Sequence, residues 1–256
     1  VAFSPSGLSL ASGSLDGCVC VWDIASSTMR YAFAGKSTVL SMIWAPPNDG
    51  HIVCGMADGT IASLTMTKDT INVSGFWAHE EPVESLAYDG THLASGAHEE
   101  LKVWLRTTSY TQDTWTEVAD VEPPPRTSLN ATRDVIVTSL HWTTTRRRPS
   151  VLVATYMNHG ISIIDGRDWK RVRSVAFPGY IADADLSADG QLLVVSNMLT
   201  GFEVFNFKVL TELEPLCSFN QDNSTACTMP VRFIHGGQAV VGGTLNGCMS
   251  IWDIHT

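Results

Sequence analysis

Asp183 and Asp185 stand two positions apart in the stretch IADADLSADG, and on a strand that spacing puts both carboxylates on one face. Two carboxylates that close can work as a general acid and base. Near a strand start, however, charges turned to solvent or to a channel are the commoner arrangement. His79-Glu80-Glu81 offers three metal-capable side chains in a row, which is poor ligand geometry for a loop. The eight histidines form no H-E-x-x-H, and neither G-x-S-x-G nor a phosphate-binding glycine loop occurs. His79, His98 and His159 fall at loop or turn positions, where a structural or surface role is expected. The six cysteines (Cys18, Cys20, Cys54, Cys217, Cys227, Cys248) include no C-x-x-C pair. Cys18 and Cys20 share a strand face without making a metal site. All six read as small buried or half-buried thiols in a reducing compartment. No catalytic, cofactor-binding or metal-ligating set is assigned, no cofactor is expected, and the chain is expected not to be an enzyme.

The chain has 256 residues, 44% apolar and 16% charged, with a net charge of −10. That composition suits a globular protein. The acidic balance disfavours nucleic acid and anionic lipid as partners. No apolar run approaches the ~20 residues of a membrane span, and no signal peptide is visible. The basic run Arg146-Arg147-Arg148 reads as a solvated loop. Sequons at Asn72, Asn130 and Asn223 would matter only in a secreted protein, which nothing else suggests. The expected location is cytoplasmic, nuclear or both.

The elements that hold these residues repeat. GSLDGCVCVWDI, from Gly13 to Ile24, returns as GTLNGCMSIWDI from Gly243 to Ile254. Each is a turn followed by an alternating apolar stretch that closes on a bulky side chain. The same pattern closes on Leu64, Trp104, Ile164 and Phe205, so successive units are 42, 40, 60, 41 and 47 residues apart. A period near 40–45 marks a radial or stacked β architecture. Upstream of each turn lie two more alternating stretches, as in VAFSPSG and LSLASGS, and downstream lies a looser one such as TMRYAFAG. That makes four short strands per unit, joined by Gly, Asp or Asn, which tolerate positive φ. Six units are expected, at about 1–35, 36–79, 80–122, 133–179, 180–222 and 228–256, in a single domain. The 60-residue spacing holds an insertion. TWTEVAD is its outer strand and EPPPRTSLNATR, about 122–133, is a long surface loop with three prolines.

SPSGLSLASGSLDGCVCVWDI resembles a WD40 repeat, down to the Trp22-Asp23 dipeptide, which recurs as Trp252-Asp253. The resemblance implies an all-β fold, a β-propeller of four-stranded antiparallel blades around a central channel. It also implies a polar network in well-formed blades: a loop His, a second-strand Ser or Thr, a turn Asp and the Trp. Carried over by position, the first unit has Ser12, Asp16 and Trp22, with its His falling before Val1. The third has His79, Ser95 and Trp104, with His98 in the Asp position. The sixth has Trp252, with Asn246 for the Asp and Gly242 for the Ser. Only the first unit is expected to complete the network. If Trp22 is buried, Trp22→Ala should cost about 3–5 kcal/mol through the cavity it leaves. The last unit stops after its third strand, so a fragment of a longer, seven-bladed parent is expected, or else a six-bladed ring lacking one outer strand.

A rigid ring that displays loops suits recognition more than chemistry. The expected function is a non-enzymatic protein–protein interaction scaffold whose partners are proteins or peptides. The expected docking face carries Trp77, His79, Glu80, Met157, His159, Tyr180 and Leu199, several of them apolar or aromatic at turn positions. Two alternatives remain. A propeller hydrolase would need His and carboxylates converging on the channel, often on a metal, and a metal-content measurement would reveal it. A repeat sensor of a signalling protein would show near-identical repeats, whereas these six differ greatly.

Overall fold

In a computed structural model the chain is described over residues 1–46, 49–68, 70–108, 113–128, 130–145, 148–209, 214–221 and 227–255. Arg146, Arg147 and Asn223 lie outside the described residues. Two compact units result, residues 1–122 and 123–256.

The first unit holds three four-stranded antiparallel sheets, each running in sequence order. The first is β1 (Ala2–Phe3), β2 (Ser9–Gly13), β3 (Cys18–Asp23) and β4 (Thr28–Ala34). The second is β5 (Val39–Trp44), β6 (His51–Met56), β7 (Thr60–Met66) and β8 (Ile71–Trp77). The third is β9 (Ser85–Tyr88), β10 (His92–Ala97), β11 (Glu100–Thr108) and β12 (Asp113–Asp120), the last containing TWTEVAD. The second unit continues with β13 (Val137–Thr145), β14 (Arg148–Tyr156), β15 (Gly160–Asp165) and β16 (Arg171–Val175). Next come β17 (Ile181–Leu186), β18 (Leu192–Asn197), β19 (Gly201–Asn206) and β20 (Cys217–Asn220). The sixth sheet has three strands, β21 (Val231–Ile234), β22 (Ala239–Gly243) and β23 (Met249–Asp253). The helices among the described residues are two short 3₁₀ turns, Phe207–Val209 and His235–Gly237.

The alternation in the sequence decides the packing. Ala11, Val19 and Val21 turn one way from the first sheet and meet Ile52, Cys54 and Leu64 of the second. The intervening residues of the second sheet, Val53 and Ile61, turn the other way and meet Leu86, Leu93 and Trp104 of the third. With both faces covered, β6 is buried at every position, while β2 and β3, covered on one face, alternate. The second unit repeats this, with one core between its first two sheets around Ile161, Leu193 and Phe205 and another between its last two around Phe202, Val231 and Val240.

The tight turns before β3 and β7 place Gly17 and Gly59 at φ of 84° and 79°. At Gly59 a Cβ would come 1.9 Å from the His79 carbonyl oxygen, so glycine is required by both backbone angle and space.

Leu93 is fully buried between the second and third sheets, so Leu93→Ala should lower the unfolding free energy by about 2–5 kcal/mol. Val73→Ala, at a position 43% exposed on β8, should cost under about 1 kcal/mol in the same urea titration.

Candidate functional site

The third sheet carries the most complete polar network. The segment after β8 is tied to the turn before β7, with Ala78 and His79 both donating backbone N–H to the Gly59 carbonyl, at 3.0 and 3.1 Å. This sets the His79 ring, which is fully buried, against β10 and β11. Trp104 Nε1 donates to Ser95 Oγ at 2.8 Å, His79 Nε2 lies 2.7 Å from the same oxygen, and His79 Nδ1 lies 2.7 Å from Glu100 Oε2. A carboxylate only accepts and an indole N–H only donates, so the Nδ1 proton points to Glu100 and the Ser95 hydroxyl proton to Nε2. Burial pushes the His79 pKa down, and Glu100 partly offsets it. The Lys102 ammonium closes the chain, 3.7 Å from Glu100 and donating to the Ala78 carbonyl at 3.1 Å. The expectation that only the first unit completes the network is therefore corrected. Glu100, two residues past His98, provides the carboxylate, while His98 itself is exposed at φ 51°.

The first sheet is looser. Trp22 Nε1 reaches Ser12 Oγ at 3.3 Å, and Asp16 stays exposed, accepting the Cys18 N–H of its own turn at 2.9 Å. Asp16 does not join the tryptophan. Trp22 is 37% exposed, which corrects its reading as a buried anchor. In the sixth sheet Trp252 packs against Phe202 and stacks on Phe219, with ring centroids 5.3 and 5.5 Å away. Gly242 lacks a side chain for a steric reason, since a Cβ there would fall 2.5 Å from the Phe202 ring.

The residues expected on a docking face separate by burial. In the first unit Trp77 is 63% exposed and Glu80 is exposed, whereas His79 is sealed inside the network. In the second unit Leu199 is 55% exposed, and Met157 and Tyr180 are half-buried. The Arg133 guanidinium already covers the Tyr180 ring, 4.8 Å from its centroid. His159 is only 6% exposed and cannot serve as a contact residue. His79 and His159 are thus withdrawn from the face.

Asp183 and Asp185 are not poised for acid–base work. Asp183 accepts the Val231 N–H at 3.0 Å and pairs with the Arg232 guanidinium, and Asp185 accepts the Phe233 N–H at 2.7 Å. The i, i+2 spacing matches the period of β21, so the two carboxylates bind alternate N–H groups of a strand that makes no ladder with β17. Beside them His141 Nε2 donates to the Ala184 carbonyl at 2.9 Å, and burial pushes its pKa down to about 4. Burial raises both aspartates. Among the described residues no group of three or more His, Cys, Asp or Glu could hold a metal ion.

The WD40 family model (WD domain, G-beta repeat) matches residues 1–23. No curated protein sequence matches the chain. Among solved structures, a chain in the crystal structure of a mitotic checkpoint complex matches at a TM-score of 0.77 and 16% identity, over 99% of this chain and 73% of that one. The Cps50 (Swd1) beta-propeller domain of Myceliophteria thermophila matches at 0.76 and 20% identity, over 99% and 82%. At such identities the likeness shows a shared fold.

Ser95→Ala leaves a buried indole N–H and the His79 Nε2 without a partner, and should cost about 1–3 kcal/mol in chemical denaturation. Ser12→Ala, beside the exposed Trp22, should cost under about 1 kcal/mol, and Trp22→Ala should fall well short of the 3–5 kcal/mol of a buried tryptophan. The His141 pKa is depressed on folding, so its contribution is intact above about 6.5 and is lost as pH falls toward about 4, because the unfolded imidazole takes up a proton that the folded one refuses. The raised aspartates act in the opposite sense. Comparing pH-dependent stability of the native chain with His141→Gln isolates the imidazole, and the variant should lose less stability on acidification.

Proposed function

We infer that this WD40-repeat β-propeller is a non-enzymatic scaffold that holds protein or peptide partners. The observation that carries the reading is Trp77, an indole 63% exposed at the end of a paired strand whose backbone is fixed on both sides. Exposed single apolar residues are ordinary, but a tryptophan on a fixed backbone has only two side-chain torsions to order on being covered and is a favoured interface anchor. A relative by fold comes from a mitotic checkpoint complex, which is itself a protein assembly. The carboxylates that could have suggested chemistry serve backbone and side-chain donors within the fold. A cytoplasmic or nuclear location belongs to the same reading, supported by six free cysteines, of which Cys227 and Cys248 are exposed rather than buried or half-buried as expected.

The test is affinity capture with the native chain, with Trp77→Ala and with Leu199→Ala, one exposed residue from each unit. Trp77→Ala should lose specifically bound proteins at an unchanged melting temperature. An identical set bound by both variants and the native chain would reject the assignment of this face.

A further inference from the structure

The charge of the chain is unevenly spread. Residues 1–122 carry 15 Asp or Glu against 5 Lys or Arg, whereas residues 123–256 carry 11 of each. Part of that excess is gathered beside Trp77. The Ala78 and His79 N–H groups bind the Gly59 carbonyl, and the Val83 N–H binds the Met56 carbonyl at 3.1 Å. The segment 80–82 between these ties arches next to the turn that carries Asp58. Trp77 pairs with Thr60 across the strands, and its Nε1 lies 3.4 Å from where a Cβ on Gly59 would stand. The His79–Glu100 contact brings the next turn, with Glu99, alongside. Asp58, Glu80, Glu81 and Glu99 are all exposed, and none forms an ion pair among the described residues. One cation drawn into this corner, Lys102, is occupied by Glu100 and the Ala78 carbonyl.

We propose that the Trp77 corner of the first unit docks a basic peptide segment, with a Lys or Arg side chain laid over the indole and its neighbours paired with Asp58, Glu80, Glu81 and Glu99. This rests on the scaffold reading of the same residue and specifies the partner's chemistry. An exposed indole face attracts a cation directly, and a rim of unpaired carboxylates raises the association rate of a basic segment and repels an acidic one. The same charges argue against anionic lipid at this corner.

The experiment titrates the full chain with a synthetic peptide carrying alternating Ala, Lys and Arg, and with its Glu-substituted counterpart, read by calorimetry and tryptophan fluorescence at low and high salt. The basic peptide should bind, weaken with salt, and lose about tenfold or more in affinity in Trp77→Ala and in Glu80→Gln/Glu81→Gln. Glu117→Gln, a carboxylate on the outer strand of the third sheet, should leave affinity unchanged. Absence of binding, equal binding of both peptides, or equal losses in all variants would overturn the proposal. If the basic peptide fails while captured proteins are still lost in Trp77→Ala, the scaffold reading stands and only the charge assignment falls.

Discussion

No sheet in this protein has a core of its own. Three or four strands of two to nine residues bury nothing until a second sheet covers them. Every apolar side chain on the middle strands therefore depends on a neighbouring sheet, and strand alternation decides which neighbour it meets. The consequence is visible in β6, apolar at nearly every position and buried throughout, against β3, where CVCVWD is buried on one face only. The turns serve the same constraint. Between the second and third strands they need glycine or a small polar residue because the chain must return within two to five residues to keep the faces in register.

Polar groups enter this scheme where packing alone fails. A buried indole needs an acceptor, so Ser95 stands two positions along β10 from the partner of Trp104. Where the corresponding bulky residue is Leu64, Ile164 or Phe205, the position of that serine holds Cys54, Ala154 or Val195. Between β17 and β21, which share no ladder, two aspartates take the strand's N–H groups directly. In each case the polar side chain completes the hydrogen bonding of a neighbour.

The sheets were legible in the sequence because turn glycines and two-residue alternation are local signals. They placed the bulky closing residues of all six units and the outer strand within TWTEVAD. The polar details were less legible, because each depends on which strand lies alongside. Glu100 was invisible as the partner of His79, since the WD40 pattern directs attention to position 98, whereas the carboxylate that meets the ring stands two residues later. The exposure of Trp22 follows from what covers its sheet face, which its twelve-residue motif does not encode. The aspartates at 183 and 185 showed their spacing but not their purpose, because the strand whose N–H groups they bind begins 46 residues later.

The pairing of indole and hydroxyl also makes the order of substitutions matter. Removing the tryptophan first leaves a serine that can turn to other partners, but opening the buried cavity is itself a costly step. Removing the serine first strands a buried N–H, a costly one. The sixth sheet holds the tryptophan without the hydroxyl, with Trp252 kept and Gly242 at the serine position. Restoring a side chain there would require the Phe202 ring to move, since it fills the space beside Gly242.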